Sequence, residues 1–268
     1  MASVSPAVTE NETSCKIVSE PVVSATVFPS DSTARMEEDM RERIENIGRR
    51  KLLAAGCATA IAGFGSLLPL PALAQGSAPA KPVVLVLGDS LSAEYGIARG
   101  TGWASLLQER LRRERFDYSV VNASISGETT IGGKTRLPDL LKRHKPAVVV
   151  VELGANDALR GLSLQSTETN LRGIVTDAQK AKAQVVLVGM RIPPNYGVDY
   201  TERFFALFPK VAKEYRTQLV PFFLDNVVTR PEWFQDDRIH PTSAAQATLL
   251  DNVWPALKPL LKASARTG

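Results

Sequence analysis

Apolar residues fall along this chain in two alternating rhythms. Short, nearly unbroken runs at 83–87, 118–122, 147–153, 184–189 and 218–222 have strand length and are rich in Val and Leu. Between them, 103–113, 137–145, 167–182 and 201–215 place apolar residues at helical spacing, and a final stretch, 244–261, repeats that spacing with Ala, Leu, Val and Trp. Strands that are apolar at every position are covered on both faces. Their alternation with helices therefore predicts one α/β domain over 83–268, built on a five-stranded parallel sheet between helical layers. There is no internal repeat.

The pattern upstream is different. Residues 1–48 mix Ser, Thr, Val, Pro and Glu and then become highly charged, which reads as a disordered or over-extended N-terminal region, with Met36 and Met40 as alternative starts. Arg49, Arg50 and Lys51 then precede an Ala- and Gly-rich apolar run, 52–70, that closes in Pro71-Ala72-Leu73-Ala74. A basic start, an apolar middle and an Ala-x-Ala end predict a signal peptide over 49–74 cleaved after Ala74, and so a periplasmic or secreted location. The paired arginines resemble a twin-arginine export signal. A single membrane anchor is the competing reading of an apolar run this long, and Gly56, Gly63, Gly65, Ser66 and Pro69 weaken it. Residues 75–82 form a short linker.

Composition narrows the chemistry. The chain is 44% hydrophobic and 22% charged with a net charge of +4, an ordinary globular balance. Its one local basic cluster, Arg110, Arg112, Arg113 and Arg115, is interrupted by Glu109 and Glu114 and has no aromatic stacking platform. It reads as a solvated helix face, so nucleic acid is not an expected partner, and contact with lipid surfaces is at most peripheral. The two cysteines, Cys15 and Cys57, both precede the expected cleavage site. The domain then has no disulfide framework and no thiol nucleophile. With only two histidines, a metal site of several His ligands is excluded, and no metal or organic cofactor is expected.

In a parallel sheet the carboxyl ends of the strands share one rim, where ligands collect. The first strand is followed by Gly88-Asp89-Ser90-Leu91-Ser92, the second by Ser126-Gly127-Glu128-Thr129-Thr130, and the third closes in Glu152-Leu153-Gly154-Ala155-Asn156-Asp157. A hydroxyl, a glycine turn with open amides and a side-chain amide are the parts of a nucleophile and an oxyanion hole. Taken singly, Gly127 serves equally as a turn residue, Asn156 as a cap, and Asp89 as a residue that fixes its turn. Of the two histidines, His144 sits at a charged helix end that suits a surface imidazole. His240 closes Asp236-Asp237-Arg238-Ile239-His240-Pro241 after the last strand, where Asp237, three residues back, can hold Nδ1 and leave Nε2 for Ser90. Asp236 reads as a solvated loop carboxylate.

These four blocks together resemble the SGNH (GDSL) hydrolases, and more closely their bacterial thioesterase I, lysophospholipase and arylesterase branch. The likeness runs from about Lys81 through the last helix. It implies a flavodoxin-like three-layer α/β/α fold, with Ser90 as nucleophile, His240 as base and then acid, and Asp237 as orienter. It implies an oxyanion hole of the Ser90 and Gly127 amides and Asn156 Nδ2. It also implies a shallow acyl groove lined by Ala155, Leu159, Arg160 and Gly161 on one side and Ile192, Pro193, Asn195 and Tyr196 on the other. The expected substrate is a small-molecule or lipid ester or thioester, handled by a monomer without a cofactor. A carbohydrate O-deacetylase on the same scaffold is the alternative enzyme, and a non-catalytic binding module the alternative of another class.

Overall fold

The computed structural model of the chain describes residues 81–262; the expected leader, its cleavage site and all but the end of the linker lie outside them. Five strands form one parallel sheet: β1 (Val83–Gly88), β2 (Ser119–Asn122), β3 (Val148–Glu152), β4 (Gln184–Val188) and β5 (Gln218–Val220). They lie in the order β2-β1-β3-β4-β5. Val86 pairs with Asn122 on one side of β1, and Gly88 with Glu152 on the other. The order reverses direction between β1 and β3, so the two strand ends that carry Ser90 and Asn156 flank the crevice where such sheets bind ligands.

Among the described residues six α-helices cover the sheet: α1 (Trp103–Arg113), α2 (Thr130–His144), α3 (Ala155–Leu159), α4 (Leu164–Lys180), α5 (Val198–Tyr215) and α6 (Gln246–Leu257). Helices α1 and α6 pack together on one face, and α2, α4 and α5 on the other. Residues 84–87 and 148–151 are fully buried, as uninterrupted Val and Leu runs require. Trp103 and Phe223 meet edge to face on one side of the core, and Phe204 and Phe208 on the other.

The expected elements are present with shifted ends. Helix α1 has the expected limits, whereas the last helix is shorter, its ends tightening into 3-10 turns at Ser243–Ala245 and Lys258–Leu260. Helix α2 begins seven residues before the expected 137. Gly132, Gly133 and Pro138 are poor helix residues, and tertiary contacts override them. The Asp157 carboxylate accepts the Thr130 amide at the helix start, and Gly133 packs so closely on Leu153 that an added Cβ would lie 2.3 Å from its Cδ1. Helix α3 lies where the apolar spacing assigned no helix. Among the described residues no helix is long and apolar enough to cross a membrane.

Candidate active site

The turn after β1 places Ser90. Asp89 Oδ1 accepts the Leu91 amide at 3.0 Å, and the Ser92 and Ala93 amides return to the Asp89 carbonyl. Gly88 permits this packing, because a Cβ there would come within 2.8 Å of both Ser92 and the Glu152 carboxylate. Ser90 is thereby left half-exposed at the rim.

His240 reaches Ser90 from the far end of the chain. Its loop is pinned by the Gln235 amide donating to the His240 carbonyl at 2.8 Å, by the Thr242 amide donating to the Trp233 carbonyl at 2.7 Å, and by an antiparallel bridge between Phe234 and Pro241. Asp237 Oδ1 accepts the Ile239 and His240 amides at 2.9 and 3.0 Å, a local turn that aims the carboxylate at its own neighbour. Its Oδ2 lies 2.6 Å from His240 Nδ1, and His240 Nε2 lies 2.8 Å from Ser90 Oγ. With Nδ1–H donated to Asp237, Nε2 is left to accept the Ser90 proton. The His240 amide, the imidazole and the Ile239 amide hold the Asp237 carboxyl at about 2, so it stays charged. The Tyr95 ring lies 4.5 Å from the imidazole, centroid to centroid, and restricts its tilt.

The loops after β2 and β3 supply amides. Gly127 has φ +77, a left-handed conformation that glycine adopts without strain. The Ser90 and Gly127 amides donate to no other group among the described residues. Asn156 Nδ2 donates to Asp89 Oδ2 and to the Glu128 carbonyl, each at 3.0 Å, and so links all three loops. Asp157 reinforces the link, since its carboxylate takes both the amide and the hydroxyl of Thr130 and the hydroxyl of Thr167 at 3.3 Å.

Beside this cluster lies a cavity of about 570 Å³. Of the expected lining, Ala155, Leu159, Ile192, Pro193, Asn195 and Tyr196 are there. Arg160 and Gly161 are not. Helix α3 ends at Leu159, after which Arg160 turns its guanidinium to the Gly127 carbonyl at 2.8 Å and Gly161 faces solvent. Leu91, Met190, Phe222, Leu224, Val228, Pro231, Phe234 and Ile239 add to the apolar wall, and Arg191 and Arg238 are the charged members among the described residues. Arg191 is fixed over the Phe205 ring and against Glu202 on α5. Ser90 and His240 occupy a narrow neighbouring cleft that shares Leu91 with the cavity.

Some residues placed elsewhere are equally informative. His144 lies at the end of α2, at the opposite rim, and Asp236 is exposed outside the Asp237–His240 pair. Sequence reasoning gave no role to Tyr95, Glu152 or Asp157. Glu152 had a signal, a carboxyl closing a run of four valines in a strand buried on both faces; Tyr95 had none.

Comparison with known proteins gives the chain its relatives. The GDSL-like lipase/acylhydrolase family matches residues 86–248. Esterase TesA of Pseudomonas aeruginosa is 48% identical over 212 residues, covering 79% of this chain and all of that one. Thioesterase 1/protease 1/lysophospholipase L1 of Escherichia coli K12 is 47% identical over 184 residues, covering 69% and 87% of the two chains. Among solved structures, the psychrotrophic esterase EstA from Pseudoalteromonas, inhibited by monoethylphosphonate, is 38% identical with a TM-score of 0.64, covering 67% of this chain and 98% of that one.

Proposed function

The chain belongs to the GDSL-like lipase/acylhydrolase family and is an ester hydrolase, and on that premise we propose that it cleaves carboxylic esters and thioesters through an acyl-enzyme on Ser90. The observation that carries this reading is the relay Ser90 Oγ to His240 Nε2 at 2.8 Å and Nδ1 to Asp237 Oδ2 at 2.6 Å. As Ser90 Oγ attacks the carbonyl carbon, its proton passes to Nε2, and the charged Asp237 stabilises the imidazolium. The Ser90 and Gly127 amides and Asn156 Nδ2 meet the oxyanion. Collapse expels the alcohol or thiol, which takes the proton from Nε2. Water then attacks the acyl-enzyme with His240 again as base, releasing the carboxylic acid and restoring Ser90.

The apolar cavity supports a fatty-acyl or aryl group, as in lysophospholipids and aryl esters, over the two-carbon acyl group of an O-deacetylase. Peripheral contact with lipid surfaces has support of its own. Among the described residues, the exposed apolar side chains Tyr95, Tyr196, Val228 and Ile239 line the cleft or the cavity, and Ile125, Ile131, Leu162 and Val198 lie in segments that follow the carboxyl ends of β2, β3 and β4. The helix ends at the opposite rim carry Arg112, Arg113, Lys142, Arg143 and Lys180 instead. Export by the leader, with cleavage after Ala74 and action as a monomer, completes the reading. N-terminal sequencing of the exported protein is expected to begin at Gln75.

A fluorophosphonate probe tests the nucleophile. The folded protein is expected to take up one covalent adduct, which Ser90→Ala abolishes; an adduct that persists in that variant would overturn the assignment.

A further inference from the structure

Asn156 Nδ2 carries two hydrogens, and both are engaged, one by Asp89 Oδ2 and one by the Glu128 carbonyl, each at 3.0 Å. Turning the amide over would set its oxygen against a carboxylate and a carbonyl, so its orientation is fixed. An oxyanion forming at Ser90 therefore finds no free hydrogen on Asn156 until one of these bonds is given up.

The two acceptors differ in strength. Asp89 is 1% exposed, and burial pushes its carboxyl up to about 6, which still leaves it ionised at neutral pH. Glu152 stands behind it, equally buried, accepting the Ser92 hydroxyl at 2.7 Å and the Asp89 amide at 3.3 Å. Trp103 Nε1 donates to the same Ser92 hydroxyl at 3.1 Å and closes the site from below. Burial first, and then the Asp89 charge, push Glu152 well above the usual carboxylate range. Of the two carboxyls Glu152 is thus the more reluctant to ionise, and Asp89, whose Oδ2 faces Asn156, is the acceptor that carries charge. A hydrogen bond to a buried carboxylate is roughly twice as strong as one to a neutral carbonyl. The Glu128 carbonyl, on a half-exposed loop residue, is the weaker partner.

We propose that Asp89 is the positioning residue of the oxyanion hole: it keeps one Asn156 hydrogen throughout the reaction, while the hydrogen held by the Glu128 carbonyl in the resting site is the one passed to the oxyanion. The proposal rests on the acyl-enzyme reading above. Asp89 touches no reacting atom and transfers no proton; it acts by holding the amide aimed. The Glu128 carbonyl occupies the second hydrogen until the oxyanion replaces it.

A double-mutant cycle with p-nitrophenyl butyrate tests this, using the wild-type chain, Asp89→Asn, Asn156→Ala and the double variant. Asp89→Asn is expected to lower kcat by about 10- to 100-fold with KM within about twofold. In the Asn156→Ala background the same substitution is expected to cost less than about threefold, because the group it positions is gone. Equal factors in both backgrounds, or a loss carried by KM, would overturn the proposal while leaving the acyl-enzyme reading intact. Full activity of Asn156→Ala would remove the oxyanion assignment, and the proposal with it. If Asp89→Asn does not fold, side-chain amide NMR of the wild-type chain before and after phosphonylation of Ser90 gives the same reading. One Asn156 Nδ2 proton is expected to shift and the other to stay; movement of both, or of neither, contradicts the proposal.

Discussion

At the scale of single residues, the site depends on groups whose charge is set by immediate neighbours. Replacing Ser90 by Ala is expected to lower kcat by about 10⁴- to 10⁶-fold, and Asp237→Asn by about 10⁴-fold through loss of the correct His240 tautomer, both read in steady-state hydrolysis of a p-nitrophenyl ester. Asn156→Ala is expected to cost about 10²- to 10³-fold in kcat with little change in KM. The two aspartates have opposite effects on stability. Asp237 lies at about 2 when folded against 3.8 unfolded, so its contribution is complete above 3.8 and disappears as pH falls through 2. Asp89 is raised from 3.8 to about 6, so its contribution is complete below 3.8 and is lost as pH rises through 6. Unfolding midpoints measured from pH 2 to 7 are therefore expected to separate wild type from Asp237→Asn increasingly between pH 2 and 4. Against Asp89→Asn, wild type is expected to lose relative stability between pH 4 and 6; a flat difference across that window contradicts the buried charge. The sequence placed Ser90, Asp237 and His240 because short motifs carry them. Tyr95 and Glu152 act only through the contact the fold gives them.

At the scale of elements, the site is held together by the start of α2. Asp157 ties that start to α4 through Thr130 and Thr167, and so fixes the loop that carries Gly127 relative to the one that carries Asn156. Asp157→Ala leaves the Thr130 amide and hydroxyl buried without their acceptor, at a cost of about 1–3 kcal/mol. The expected result is a lower thermal midpoint and faster amide exchange at Thr130, together with reduced kcat; unchanged exchange at Thr130 counts against the clamp. The first turns of α2 were invisible to helical periodicity because their two glycines pack rather than follow propensity. Arg160 was misplaced because the resemblance implies which segment lines the groove, not where the residue that caps a five-residue helix turns its side chain.

At the scale of the molecule, function follows from the point where the sheet order reverses. Strands β1 and β3 bring Ser90 and Asn156 to one crevice, and the segment after β5 returns His240 to it from 150 residues away. The cavity beside them should govern chain-length preference, each buried methylene being worth about 0.8 kcal/mol, or roughly fourfold in kcat/KM. Ile192→Trp, which fills that cavity, is expected to move the preference among p-nitrophenyl esters from octanoate towards acetate or butyrate; an unchanged preference would place the acyl chain elsewhere. The order of strands and helices, the parallel sheet, the turn that carries Ser90 and the His240–Asp237 pair were all determined by the sequence, because burial on both faces and local turn chemistry leave their mark on neighbouring residues. The Asp89–Glu152 pair, the full engagement of the Asn156 amide and the extent of the apolar cavity were decided only by tertiary structure. Each depends on how closely side chains from separate strands approach within a low-dielectric interior, and no local pattern encodes that distance.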